Sequence, residues 1–465
     1  MKIAINLLFK GELRRMSLFN TYFSVNELDT FFKKSSKIFF IGIGGISMSS
    51  LAKFCLKENK IVFGCDKTRT KITEMLEKDC HIKYFSSTDN VYGMDLVIYT
   101  TAIDENCFEY AYAKKLNIPL VSRANFLGYI MTKYKKKIGV CGMHGKSTVT
   151  SMLHHIFSYG NCEPTTFCGG NMSGYGCYVF GKDDYIIFEA CEYLDAFLCF
   201  NPDESVITNI DYDHPDYFKD TSQVISSFQK YADMNEKVYI NSDDILSCEI
   251  KHHNKISYGI KNNAKYMAKI IHSPNKNEFF VYKDDEMIAK CKINFYGEHF
   301  IYDALCAFSV AYENGIDVEV IENALATFKG TERRMEFIKK TDTGTDIFCD
   351  YAHHPTEIKA TIKGLKDMGY KNICCIFQAH TYSRTYYLYD EFKNAFDCVD
   401  NLIIAPTFCA REENVFGFTD NDFALHCGGV FIDDYKKIKD FVSKIGADAI
   451  IIMGAGNIND LKDSF

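Results

Sequence analysis

Along most of the chain, short apolar runs alternate with helix-length stretches of mixed polarity. Continuous apolar runs bounded by Gly, Asp or Asn suit strands buried on both faces. The longer stretches between them suit the crossovers that parallel strands need. The expected class is therefore α/β, built on parallel sheets. A chain of 465 residues should hold several hydrophobic cores, most naturally three domains of roughly 100 to 200 residues each.

The first block predicts a strand at 37–42, the turn Gly42-Ile43-Gly44-Gly45-Ile46-Ser47, a helix at 48–58, and a strand at 61–65 ending in Asp66. Such a turn offers backbone amides to a pyrophosphate, with the acidic residue near a ribose hydroxyl. Ser47 stands where the third glycine of the dinucleotide fingerprint would be. A strand at 96–99 brings Thr100 and Thr101 to the same sheet end, where ligands gather.

The second block carries the strongest chemistry. A strand at 138–141 runs into Gly142-Met143-His144-Gly145-Lys146-Ser147-Thr148, and a helix follows at 149–159. This reads as a phosphate-binding loop: backbone N–H groups and a helix N-terminus converge on nucleotide phosphates, Lys146 reaches the terminal ones, and the Ser147 hydroxyl is placed to ligate Mg2+. Only Met143 and His144 separate the two glycines, fewer than in the commonest form. Strands at 185–188 and 205–208 then deliver Glu189 and Asn209, followed by Asp211, Asp213 and His214. Carboxylates and a histidine at strand ends beside such a loop are where magnesium ligands sit. Taken singly, Glu192, Asp195, Asp211 and Asp213 read more readily as solvated loop residues.

The third block begins near Phe328 with a basic cluster that includes Arg334. A strand at 347–349 leads into Asp350-Tyr351-Ala352-His353-His354-Pro355-Thr356-Glu357, and one at 373–377 into Gln378-Ala379-His380-Thr381-Tyr382-Ser383-Arg384. Two strand-to-helix junctions rich in His, Tyr and Arg read as a substrate surface.

A net charge of -8 argues against nucleic acid as the main partner. Nineteen cysteines without a C-x2-C pair read as buried thiols of a reducing cytosol, not as a disulfide framework or structural zinc site. No stretch of about 18 apolar residues free of charge is present, so no membrane span is expected. The N-terminal apolar run is followed at once by Lys10, Glu12, Arg14 and Arg15, unlike a signal peptide, and Met16 is the expected true start.

Taken in order from about 37 to 457, the segments Phe40 to Met48, Gly142 to Ser147, Glu189-Ala190-Cys191-Glu192-Tyr193, Asn209 to His214, Asp350 to Glu357 and Phe377-Gln378-Ala379-His380 resemble the Mur ligases, and Met453-Gly454-Ala455-Gly456-Asn457-Ile458 echoes the family's closing motif. Within the family they look most like the members that add L-alanine to UDP-N-acetylmuramate in peptidoglycan precursor synthesis. The resemblance implies an N-terminal extension at 1–35 followed by three α/β domains: a UDP-sugar-binding Rossmann-like domain at 36–135, a central P-loop ATPase-like parallel sheet at 136–328, and a Rossmann-like, amino-acid-binding C-terminal domain at 329–465.

It further implies that ATP phosphorylates the lactyl carboxylate and that the alanine amine attacks the acyl phosphate. Lys146, Glu189, His214 and Arg334 would be catalytic. Gly142, His144, Gly145, Lys146, Ser147, Thr148, His299, Asp303, Arg334 and Asp350 would bind ATP, with two Mg2+ ions held by Ser147, Glu189 and His214. Gly42, Gly44, Gly45, Asp66, Thr100 and Thr101 would hold the UDP-sugar, and Tyr351, His353, His380 and Arg384 the amino acid. The protein is expected in the cytoplasm, as monomer or homodimer, with small-molecule substrates, no nucleic acid and no membrane partner.

The family's Gly-x-His-Asn-x-x-Asn-Ala motif reads Gly297-Glu298-His299-Phe300-Ile301-Tyr302-Asp303-Ala304 here, with both asparagines replaced. Met143 stands where threonine is common, and Thr381 where arginine is. Two alternatives stay open: a cousin that ligates a recycled murein tripeptide, and a non-catalytic nucleotide-binding regulator. A nicotinamide-dependent dehydrogenase would leave Lys146, Glu189 and His214 without purpose.

Overall fold

The computed structural model describes residues 22–103, 106–215, 217–271, 277–410 and 412–465. Met16, the expected start, lies outside the described residues. Within the 1–35 extension, a helix that the apolar pattern did not predict, α1 (Val25–Lys34), opens on a capping box. The Ser24 hydroxyl accepts from the Glu27 N–H, and the Glu27 carboxylate accepts from the Ser24 N–H. Its Phe32 ring is buried against Phe54 and Phe126.

By contact the chain divides into two compact units: Met1–Cys141, Cys162–Ser205 and Lys230–Lys237 form one, and Gly142–Asn161, Val206–Gln229 and Val238–Phe465 the other. In the first unit, β1 (Lys37–Ile41), β2 (Ile61–Cys65), β3 (His81–Lys83), β4 (Leu96–Tyr99) and β5 (Leu120–Ser122) make an all-parallel sheet of order β3-β2-β1-β4-β5. The order reverses between β1 and β4, and the Gly42 turn and Thr100 lie just past those two strands. α2 (Ile46–Lys57) begins two residues earlier than expected, with Gly45 as its N-cap. The unit also carries β6 (Lys136–Cys141), β7 (Pro164–Met172), β8 (Gly176–Val179) and β9 (Lys182–Glu189); β9 runs parallel to both β6 and β7, and β8 antiparallel to β7.

The second unit begins at the phosphate loop. Its helices α4 (Lys146–Tyr159) and α5 (Glu298–Glu313) pack on each other, and α5 is buried along most of its length; α3 (Arg123–Met131) belongs to the first unit. β10 (Glu204–Ile207) spans the boundary between the units. β11 (Lys237–Asn241), β12 (Lys255–Gly259) and β13 (Tyr266–Ile271) are successive parallel neighbours. β13, β14 (Asn277–Lys283) and β15 (Glu286–Ile293) then form an antiparallel meander that the apolar runs did not reveal. These strands alternate buried and accessible residues, a weaker signal than the continuous runs of strands covered on both faces.

The last sheet comprises β16 (Glu336–Lys340), β17 (Asp346–Asp350), β18 (Ile373–His380), β19 (Asn401–Phe408), β20 (Val430–Phe431) and β21 (Ala449–Met453), in the order β16-β17-β21-β18-β19-β20. All pairs are parallel except β16 with β17. The isoleucines and cysteines of β17, β18 and β21 form its core. β17 leads to α6 (Pro355–Asp367) and β18 to α7 (Tyr382–Tyr387), as the two His-rich junctions predict.

Gly128 on α3 faces the Cys199 carbonyl so closely that a Cβ would overlap it. Gly128→Ala should therefore lower stability by about 1–3 kcal/mol, read as a lower urea midpoint at unchanged slope.

Candidate active site

β6 ends at Cys141, and the next four residues form the phosphate loop, with Gly142 at φ +133° and Gly145 at φ +82°. Gly145 is the N-cap of α4, so the helix begins at Lys146 and not at 149 as expected. A Cβ on Gly142 would run into the Thr208 hydroxyl, so this position admits only glycine. The end of β10 secures the loop: Asn209 Oδ1 accepts from the His144 N–H at 2.9 Å, Asn209 Nδ2 donates to the His144 carbonyl at 3.0 Å, and Thr208 Oγ1 donates to it at 2.6 Å. Lys146 Nζ folds back to the Gly142 and Met143 carbonyls at 2.6 and 3.1 Å. Ser147 and Thr148 are buried in the first helical turn.

His144 lies between two carboxylates. Its Nε2 is 3.4 Å from Asp211 Oδ2 and its Nδ1 is 3.3 Å from Glu357 Oε1. Burial pulls this imidazolium down, but the two carboxylates outweigh it and hold it up at about 9. Asp211 also accepts from Thr356 Oγ1 at 2.8 Å, and the His144 and His354 rings are 4.8 Å apart. His144, Asp211 and His354 offer ligand atoms within 4.8 Å of one another, the geometry of a possible metal trio. Both nitrogens of His144 face carboxylates and His354 Nδ1 accepts the Thr356 N–H, so most of the cluster is held as an ion-paired network, while the buried His354 Nε2 has no hydrogen-bond partner among the described residues. Glu357 is its hub: it also accepts from the His353 N–H at 3.1 Å and approaches Arg334 NH1 at 3.5 Å.

A cavity of about 490 Å³ opens beside the loop. His144, Gly145, Thr148, His299, Phe300, Asp303, Arg334 and Asp350 line it, which gathers most of the expected ATP residues around one space. Its far wall includes Tyr258, Tyr302, Asp243 and Asp244. Burial, with Arg334 adding to it, pulls His299 down to about 4, so that ring is neutral. Asp350 accepts the Met335 and Ala352 N–H groups at 2.8 and 2.7 Å, fixing the turn that carries Arg334. The Arg334 guanidinium lies 5.1 Å over the Tyr351 ring.

The expected amino-acid residues also come together. His353 and His380 are 5.5 Å apart, ring to ring, and Tyr351 and His353 are 5.2 Å apart. Arg384, expected to hold the amino acid, is bound by a carboxylate of the protein itself. Its Nε and NH2 bond Asp213 Oδ1 and Oδ2 at 2.9 and 3.1 Å, and NH1 lies 3.0 Å from His380 Nδ1. Both partners are buried, so Asp213 is not a solvated loop residue. Burial alone would raise the Asp213 carboxyl, but Arg384 beside it holds it well below the usual range. His214 follows at φ +55°, its Nε2 3.9 Å from Asp213.

In the first unit, Gly42 turns at φ +79° under the Thr100 side chain, and Gly44 N–H donates to Asp66 Oδ2 at 2.8 Å. Asp66 Oδ1 accepts the Lys67 N–H, so this carboxylate holds the turn itself. Gly45 caps α2 and Thr101 is exposed. Glu189 ends β9 and accepts the Gly169 N–H at 2.8 Å. The sequence reading weighed Asp213 as a magnesium ligand or a solvated loop residue and gave Asn209 and Glu357 no role. The first two follow β10 in the quoted Asn209 to His214 segment, and Glu357 completes a capping box with His354 on α6, a pattern legible beforehand.

Three family models cover the chain: the Mur ligase family catalytic domain at 37–135, the Mur ligase middle domain at 140–311, and the Mur ligase glutamate ligase domain at 333–456. The chain belongs to the Mur ligase family. Among curated relatives it is 38% identical over 450 residues to UDP-N-acetylmuramate--L-alanine ligase of Caldanaerobacter subterraneus subsp. tengcongensis, covering 93% of this chain and 98% of that one. It is 40% identical over 447 residues to the enzyme of the same name from Clostridium kluyveri, covering 92% and 97%. Among solved structures it is similar to the UDP-N-acetylmuramate-alanine ligase of Thermotoga maritima, with TM-score 0.80, 25% identity, and 92% and 98% of the two chains covered. A murein peptide ligase from Psychrobacter arcticus shares the fold at TM-score 0.70 and 22% identity, covering 92% and 98%.

The raised His144 group contributes stability that is complete below its unfolded value near 6.5 and is lost as pH rises toward about 9. In urea titrations at pH 6, 7.5 and 9, the gap between wild type and His144→Gln should therefore narrow as pH rises; a constant gap would show that His144 is not charged in the folded protein.

Proposed function

We propose that the protein is an ATP-dependent ligase that joins L-alanine to the lactyl carboxylate of UDP-N-acetylmuramate, in peptidoglycan precursor synthesis. The observation that carries this reading is near-complete coverage, at 36–40% identity, by relatives bearing that one activity in their names. The cavity beside the phosphate loop supports a nucleotide substrate. A free carboxylate is a poor electrophile, so the lactyl oxygen attacks the γ-phosphorus and ADP leaves. The alanine amine then attacks the acyl carbon, the C–O bond to phosphate breaks, and inorganic phosphate and the amide result.

In this scheme Lys146 swings from the Gly142 and Met143 carbonyls to the β- and γ-phosphates, where its charge stabilises the transferring phosphoryl group. Arg334, oriented by Tyr351 and Glu357, meets the same charge from the other side of the cavity. Ser147 and His214 would each offer Mg2+ a donor, a hydroxyl and an imidazole, and Glu189 is a carboxylate of the kind such an ion takes; the ion, when bound, would supply charge neutralisation to the phosphates. The Gly42 turn, Thr100 and Thr101 hold the UDP moiety, with Asp66 supporting the turn. His353 and His380 border the amino-acid site, and Arg384 receives the alanine carboxylate, which then shares or replaces Asp213 on the guanidinium fork. Substrates of this kind support a cytoplasmic location. Among the described residues no helix is long and apolar enough to cross a membrane.

Phosphate release with ATP, Mg2+ and UDP-N-acetylmuramate should depend on L-alanine and not on the murein tripeptide. Release with the tripeptide alone would transfer the assignment to the recycling ligase, and none with either acceptor would leave a binding protein. Lys146→Ala should abolish release while sparing UDP-N-acetylmuramate binding. Arg384→Lys, which keeps a charge opposite Asp213 but loses the planar fork, should raise the KM for L-alanine by about tenfold or more and that for ATP far less; equal effects would remove Arg384 from the amino-acid site.

A further inference from the structure

Asp303 is the one aspartate of α5, and it stands where the family motif has its second asparagine. Its side chain is nine-tenths buried, lines the cavity, and makes no hydrogen bond to any described residue. It sits directly on the phosphate loop: a Cβ placed on Gly145 would be 2.7 Å from Asp303 Oδ1. A carboxyl that opens on this cavity with no hydrogen-bond partner among the described residues, and lies against the loop that receives phosphates, points to a ligand that completes it. As a carboxylate it would repel any nucleotide brought there.

We propose that Asp303 serves the bound nucleotide as an un-ionised carboxylic acid, its hydroxyl donating a hydrogen bond where a carboxamide would use its N–H. The inference rests on the ATP reading of the cavity and adds how this chain recognises the nucleotide without the asparagine.

The surroundings favour the neutral form. Arg334 is the cation whose charge reaches Asp303, and it is shared with Glu357 and the Tyr351 ring. His144, on the loop side, is held by Asp211 and Glu357, and Asp350 adds a further acid at the cavity wall. On α5 itself, His299 is neutral, Tyr302 donates to Asp243 at 2.8 Å, and Cys306 is buried; Tyr258 faces the same region from β12. Burial raises the Asp303 carboxyl to about 8, against the pull of Arg334. A carboxylic acid kept protonated at neutral pH by its apolar surroundings is an established hydrogen-bond donor in proteins.

The test is ADP affinity by calorimetry for the full chain, its Asp303→Asn and its Asp303→Leu variants, from pH 6.5 to 9, with and without excess Mg2+. Wild-type affinity should weaken about tenfold between pH 7 and 9, as a group near 8 loses its proton. Asp303→Asn should keep the pH 7 affinity within about threefold and lose most of that pH dependence, and Asp303→Leu should bind at least about tenfold more weakly at every pH. Parallel pH profiles for wild type and Asp303→Asn would overturn the proposal. So would a loss of affinity in Asp303→Asn confined to Mg2+-containing solutions, which would make Asp303 a metal ligand. Failure of the wild type to bind ADP at any pH would instead refute the ATP reading on which the inference stands.

Discussion

The second unit depends on the position of one imidazolium. His144 sits in the middle of the phosphate loop, where backbone at positive φ must be held without side-chain packing of its own. Asn209 and Thr208 fasten its main chain, while Asp211 and Glu357 fasten its ring. The shape of the loop is thereby tied to the end of β10 and to the first turn of α6, two segments far apart in sequence. Through Glu357 the same network reaches Arg334 and His353, so the cavity wall and the amino-acid residues share one electrostatic framework.

Buried charge is handled by pairing throughout this framework. Asp213 and Arg384 neutralise each other inside the protein, and Glu357 faces three cationic or imidazole groups. Pairs of this kind contribute little net stability relative to apolar packing, but removing one partner is expensive because the other is left buried and charged. They fix geometry more than they add stability. Asp303 departs from the pattern: its carboxyl has no hydrogen-bond partner among the described residues, and a bound nucleotide would complete it.

Much of the fold was legible in the chain. The strands that lead into the Gly42 turn, the phosphate loop and the two His-rich junctions all appear at shifts of a few residues, because strands covered on both faces write themselves as unbroken apolar runs. The antiparallel meander from Tyr266 to Ile293 was not legible, since strands with one solvated face leave only a faint alternation. α1 was missed although Ser24 and Glu27 spell its capping box, because its apolar face is narrow: Leu28 and Phe32 are its buried residues. Among the site residues, the loop and the junction histidines stood out by their motifs, whereas Asn209 and Glu357 lay inside quoted segments without a role, because their partners are remote in sequence.

The sequence by itself determined the α/β class, the chain positions of the ligand-bearing turns and the residue types able to bind phosphate, because these depend on local periodicity and on glycine where the backbone turns at positive φ. Only the tertiary structure decided that Asp211 is a half-buried partner of His144 and Asp213 a buried partner of Arg384, that Arg384 is held by a carboxylate 171 positions away, and that Asp303 has no hydrogen-bond partner among the described residues. Ionisation and pairing depend on what surrounds a group in space, and no local pattern encodes a neighbour so distant along the chain.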